Sequence, residues 1–268
     1  MGDKVKQKKR WFLKAEIIIL LCLVGFLVVK SEIVTVNSIK AAVLNQIVKI
    51  NPNNIDAYDF PGDYYFDSGR YEKAIEVYKE AIRISPDDFE AHYNIGIAYD
   101  WLDNYEEQIP AFREAARISP DDADAHFNLG LAYYHTGNLE EAMKSFDVAT
   151  RVDPHYREAY RWLSDCYWET GQLTKSVETW KRALDTSPDY IWAHIALAFN
   201  YNDLGRYEEA IVEFKELIEL EPDIAGYHVL LGKAYLQIGD RDSALKQHKK
   251  LTTLDPDLAD ELLVLMEE

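Results

Sequence analysis

The hydrophobic pattern changes character three times along the chain. Between Ile17 and Val29 thirteen consecutive residues carry no charge, preceded by Trp11, Phe12 and Leu13. From Asn37 to Ile50 the apolar residues Ile39, Val43, Ile47 and Ile50 fall at helical spacing and predict one amphipathic helix. Beyond it the pattern becomes periodic. Prolines stand at 52, 86, 120, 154, 188, 222 and 256, each 34 positions after the one before. Taking each proline as position 32 divides the chain into six units, 55–88, 89–122, 123–156, 157–190, 191–224 and 225–258. Position 11 is tyrosine in all six (Tyr65, Tyr99, Tyr133, Tyr167, Tyr201, Tyr235), and position 8 is always small (Gly62, Gly96, Gly130, Ser164, Ala198, Gly232). Small residues there let a second helix approach closely. Position 24 carries an aromatic residue from Tyr78 to Phe214 and a histidine, His248, in the last unit. A glycine stands between the two predicted helices in five units (Gly69, Gly137, Gly171, Gly205, Gly239), and Asp103 replaces it in the second, where a helix C-cap needs a left-handed residue.

These residues resemble the tetratricopeptide repeat in length and in its W-x2-L-G-x2-Y, A-x3-F and P signature. The stretch His126-Phe127-Asn128-Leu129-Gly130-Leu131-Ala132-Tyr133 is close to the consensus first helix of that family. The resemblance implies an all-α fold, a right-handed α-solenoid of antiparallel helix pairs, A then B, whose A helices line a concave groove. Physically, one pair cannot bury its apolar stripe alone, and its neighbours must cover it. Pro61, inside the first A helix, removes a backbone donor and predicts a kink or a late start. Residues 31–54 read as a spacer and N-capping helix. Residues 259–268 read as a short C-terminal capping helix, with Leu258, Leu262, Leu265 and Met266 placed to cover the last B helix.

Charge separates the N-terminus from the rest. Residues 1–30 hold seven Lys/Arg against two acids, a net +5, so a chain of total charge −18 carries −23 on its remaining 238 residues. So acidic a body repels phosphate backbones, which argues against nucleic acid as a partner. Residues 1–10 read as a basic cytoplasmic tail and residues 11–30 as a transmembrane anchor. Trp11 to Val29 is nineteen residues, about 28 Å of helix against a hydrocarbon core of about 30 Å. A secretory signal is the alternative. Five Lys/Arg in the first ten residues orient the N-terminus toward the cytoplasm under either reading, with the repeats extracytoplasmic. Two cysteines, Cys22 and Cys166, provide no disulfide framework.

By the 100° helical step, positions 2, 5, 9, 12 and 13 of the A helices share the face that the resemblance places in the groove. Those thirty positions hold eleven acids against Arg161 and Lys233, about twice the acid density of the whole body. Candidate partner-binding residues are Asp63, Phe66, Tyr93, Asp100, Trp101, Phe127, Tyr134, Asp165, Trp168, Glu169, Trp192 and Phe199. Exposed Tyr and Trp anchor interfaces, and packing against an adjacent helix is the alternative for each ring. The acids disfavour capture of a peptide C-terminus, and with the aromatic residues they point to a basic or aromatic-contacting polypeptide segment. Leu263 and Val264, off the capping stripe, form a candidate association edge, with harmless exposure as the alternative.

No phosphate-binding loop, H-E-x-x-H, paired C-x-x-C or EF-hand spacing occurs, so neither enzymatic activity nor a cofactor is expected. Four histidines recur at position 4 (His92, His126, His194, His228), but equivalent helices stand about 10 Å apart, too far to share one zinc ion. They are expected to be polar-edged core residues. The turn acids Asp87, Asp88, Asp121, Asp122, Asp189, Asp223 and Asp257 are expected to cap helices rather than bind calcium. The functional expectation is a membrane-anchored, non-enzymatic scaffold that binds another polypeptide. The alternative is a structural protein that self-assembles into a homo-oligomer or filament.

Overall fold

The computed structural model describes residues 56–267; the expected anchor (11–30) and the expected spacer and N-capping helix (31–54) fall outside this range. The described residues are all helical, in thirteen helices and the turns joining them. The chain forms two compact units, Met1–Ser119 and Pro120–Glu268.

In the first unit, α1 (Asp56–Asp67) pairs with α2 (Tyr71–Ile84), and α3 (Phe89–Asp100) with α4 (Tyr105–Ile118). Glycine decides how closely each pair packs. A Cβ on Gly62 would lie 2.3 Å from the Tyr78 ring, and one on Gly96 would lie 2.6 Å from Phe112, so position 8 is small because the position 24 ring rests on it. Pro61 lies inside α1, which begins ahead of it at Asp56, so the late start expected there does not occur; Pro110 sits likewise inside α4, a feature the repeat pattern does not announce. Gln108, at a position where Ala is the norm, is buried and donates to Asp100 Oδ1 at 2.7 Å, so it is not left unsatisfied.

The second unit continues with α5 (Ala123–His135), α6 (Leu139–Val152), α7 (Arg157–Glu169), α8 (Leu173–Thr186), α9 (Ile191–Asp203), α10 (Tyr207–Leu220), α11 (Ala225–Gln237), α12 (Arg241–Leu254) and α13 (Pro256–Glu267). Gly130 meets Phe146 as in the first unit, its added Cβ falling 2.6 Å from the ring. The α7–α8 pair uses a different solution. Ser164 and Ser176 face each other at 2.7 Å in the core, and Asn200 of α9 donates to Ser176 at 2.6 Å, tying two neighbouring pairs through a satisfied buried polar contact. On the B side, Arg182 donates to Asp147 and Thr150, each at 2.8 Å, and so links α8 to α6.

Each A helix ends the same way. The position 16 N–H donates to the position 11 tyrosine carbonyl in every pair, from Arg70 to Tyr65 through Asp240 to Tyr235. The five predicted glycines have φ between 68° and 77°, and Asp103 takes 52° in the same place. This is a Schellman-type stop, which needs a left-handed residue. The histidines at position 4 also have a shared task. Each places Nε2 3.0–3.1 Å from the carbonyl of the repeat proline six residues earlier, fastening the inter-repeat turn to the next A helix.

Two end features differ from expectation. The capping helix begins at Pro256, and its covering residues are Ala259 and Leu262 rather than the full predicted stripe: Leu258 and Met266 are half-buried and Leu265 is exposed. Leu262 occupies the space over Gly232, where an added Cβ would meet it at 2.5 Å, the place taken by the position 24 ring in other pairs. His248 cannot fill that space, and its buried Nδ1 has no hydrogen-bond partner among the described residues. The turn acids divide as well. Asp88 and Asp122 cap the following helices by accepting from Ala91 and Ala125, whereas Asp87 and Asp189 pair with Arg117 and Arg157.

Candidate functional site

The outward positions of the A helices fall into two classes. In the first, the ring is packed. Phe127 lies 4.9 Å from Tyr156 and 5.7 Å from Phe146. Tyr134 meets Trp162 edge-on at 4.8 Å and donates its hydroxyl to Glu169 at 2.6 Å. That bond raises the Tyr134 phenol to about 12, because losing its proton would put a second negative charge against the carboxylate. Tyr93 contacts Phe89 and Phe112, and Phe66 meets Tyr71 edge-on. In the first unit Asp63 accepts from Tyr78 at 2.8 Å, and Asp100 is held by Gln108. Trp101, though 61% exposed, stacks on Tyr71 at 5.6 Å.

The second class lies on α7 and α9. Trp168, Trp192 and Phe199 are 58%, 65% and 46% exposed. Along α7, Glu158, Arg161, Asp165 and Trp168 follow one another at i, i+3, i+7 and i+10, all exposed, with Glu169 beside them. Along α9, Trp192, Phe199 and Asp203 share the corresponding exposed stripe. Two neighbouring A helices therefore present three large apolar side chains interleaved with four carboxylates and one arginine. Asp165, exposed on this stripe, has charged neighbours one turn away on either side, Arg161 and Glu169. Desolvation raises its carboxyl pKa, Arg161 pulls it back, and the charge of Glu169 adds to the rise. A cation brought to this face would relieve that unfavourable pairing of Asp165 and Glu169.

Cys166, on the inner side of α7, is fully buried, and burial pushes its thiol up to about 12, the opposite of an activated nucleophile. Among the described residues no group of three His, Cys, Asp or Glu side chains could hold a metal ion, and no helix is long and apolar enough to cross a membrane. Trp162 was not among the predicted site residues. It sits at position 6, off the outward stripe, yet decides the fate of Tyr134, and only its size in a place usually held by smaller residues could have flagged it.

Models of tetratricopeptide repeats match residues 62–100 and 200–239, 109–151 and 145–191, and 89–122 and 225–258. No curated protein matches the sequence. Among solved structures the chain is similar to MamA protein (24% identity, TM-score 0.56, over 65% of this chain and 94% of that one). It is also similar to YrrB, described as a TPR protein with an unusual peptide-binding site (20%, 0.54, over 70% and 97%), and to PilF of Pseudomonas aeruginosa (20%, 0.50, over 78% and 96%). At these identities the likeness is one of fold. With the repeat models, the 34-residue period and the helix pairs in agreement, the chain is built from tetratricopeptide repeats.

Proposed function

We propose that the protein is a non-enzymatic scaffold that binds a basic segment of another polypeptide on the α7–α9 face. The N-terminal apolar segment then anchors it to a membrane, with the repeats on the extracytoplasmic side. The observation that carries the binding reading is the exposure of Trp168, Trp192 and Phe199 among Glu158, Asp165, Glu169 and Asp203. Aromatic anchors supply desolvated contact area at little conformational cost, and carboxylates around them select a cationic partner. Tyr134 of the third repeat cannot substitute, because its ring and hydroxyl are already engaged. YrrB, a TPR protein with an unusual peptide-binding site, agrees with this use of the fold.

Affinity purification of the full chain from native membranes in mild detergent tests the reading. A stoichiometric second polypeptide is expected with the wild-type chain and is lost with Trp168→Ala/Trp192→Ala, and its recovery falls as salt screens the carboxylates. Equal recovery with both chains would remove this face from the binding site. External protease should reach the repeats once the outer envelope is permeabilised. Protection until the anchoring membrane dissolves would reverse the sidedness.

A further inference from the structure

Position 21 is apolar in all six repeats: Ile75, Ile109, Met143, Val177, Ile211 and Leu245. It is buried in the first, fourth and fifth and half-buried in the second and third. In the sixth, Leu245 is 39% exposed. Helix α13 covers Val229 and Leu251 but leaves Leu245 in solvent, and itself exposes Leu263 and Val264, the latter at 57%.

The charges around these residues are unlike the rest of the molecule. On α12, Lys246, Lys249 and Lys250 lie on the exposed side next to Leu245 with Asp242 as the one acid among them, a net basic face in a chain of net charge −18. On α13, Asp257 and Asp260 lie on the exposed stripe that carries Leu263 and Val264. Among the described residues no ion pair engages the three lysines, Asp257 or Asp260, whereas Glu261 is already bridged to Lys233 at 2.6 Å. One helix thus presents cations with an apolar side chain, and its packed neighbour presents anions with two.

A pair of adjacent, oppositely charged helix faces is self-complementary under a two-fold rotation, which lays each on the other's equivalent. We propose that α12 and α13 form a dimerisation face, α12 of one copy lying on α13 of a second copy and the reverse. A general excess of negative charge repels two copies of this chain. The lysines of α12 offset that repulsion locally, and Leu245, Leu263 and Val264 supply the apolar centre. The contact is separate from the α7–α9 face and stands whether or not that face binds a partner.

Charge reversal across the two helices tests it. The full chain in mild detergent at about 100 μM, a concentration suited to a modest interface, should sediment at twice 31.0 kDa after correction for bound detergent. K246E/K249E/K250E puts acid against acid, and D257K/D260K puts base against base, so each alone should be monomeric. An equimolar mixture restores attraction at both halves of the contact and should recover the dimer. A monomeric wild-type chain, two charge variants that still dimerise, or two folded monomeric variants whose mixture stays monomeric would each overturn the proposal. Circular dichroism checks that the variants fold. Should one fail to fold, Leu263→Asp at the exposed centre of the contact decides instead: a monomer supports the contact, and a dimer unchanged by the substitution contradicts it.

Discussion

Tyr134 and Trp168 occupy the same position of consecutive repeats and meet opposite fates. Behind Tyr134 the next repeat supplies Trp162 as a ring partner and Glu169 as a hydrogen-bond acceptor, and the side chain is locked down. Behind Trp168 the equivalent residues are Ala196 and Asp203, and the indole stays 58% exposed. Position in the repeat sets the direction of a side chain, whereas the next repeat's residue decides whether that side chain is structural or available. Within one unit, the third repeat thus builds an aromatic cluster, and the fourth and fifth leave Trp168, Trp192 and Phe199 exposed.

The largest effect should come from breaking the structural side of this comparison. Phe146 is fully buried, rests on Gly130, and joins Phe127 to Trp162 through ring contacts at 5.7 and 6.2 Å. Phe146→Ala should cost about 3–5 kcal/mol in urea unfolding. A loss below about 1 kcal/mol would mean that the cluster does not hold the third repeat. At position 12 itself the difference should reverse with the readout. Tyr134→Ala gives up an edge-on ring pair and a charge-assisted hydrogen bond and should cost about 1–2 kcal/mol of stability. Trp168→Ala should stay within about 0.5 kcal/mol. Equal destabilisation by both would erase the distinction.

A smaller effect separates the repeats by pH. His194 places Nδ1 2.7 Å from Glu213 in a largely buried pair, and that bond raises its pKa above the ordinary histidine value of 6.5. Its charged form is therefore favoured in the folded state. The resulting stability is fully present below about pH 6.5 and is lost as pH rises through the elevated folded value. Glu216 adds to the rise, desolvation opposes it, and the Pro188 carbonyl accepts from the other ring nitrogen. Unfolding titrations should show wild-type stability falling over this range, with the fall abolished in Glu213→Gln. A slope that survives the substitution would assign the dependence to other groups. In the third repeat Ser145 stands where Glu213 stands in the fifth, so Ser145→Ala should leave the slope unchanged.

The fold was legible because its determinants are local and repeated. Proline at every thirty-fourth residue, a small residue under each position 24 ring and a left-handed residue after each A helix are one physical requirement stated six times. The close approaches at Gly62, Gly96 and Gly130 and the positive φ of Asp103 are its direct expression. The end was less legible because the pattern stops there. The i, i+4, i+7, i+8 stripe was right about Leu262 and wrong about Leu265, since α13 packs against both α11 and α12 and turns a different edge inward. On the outward face, helical geometry identified the stripe but could not sort its rings. That sorting depends on contacts 28 to 35 residues away, such as Tyr134 with Trp162 and Glu169, and no periodicity within one helix encodes them.

The central claim is that the exposed rings of the fourth and fifth repeats, and not the packed rings of the third, contact the partner. Titration of the purified partner polypeptide against the wild-type chain, Trp168→Ala/Trp192→Ala and Tyr134→Phe tests it most directly. The double variant should bind at least about tenfold more weakly, a loss of about 1.4 kcal/mol or more, while Tyr134→Phe should stay within about twofold. Unchanged affinity in the double variant, or an equal loss in Tyr134→Phe, would contradict the account.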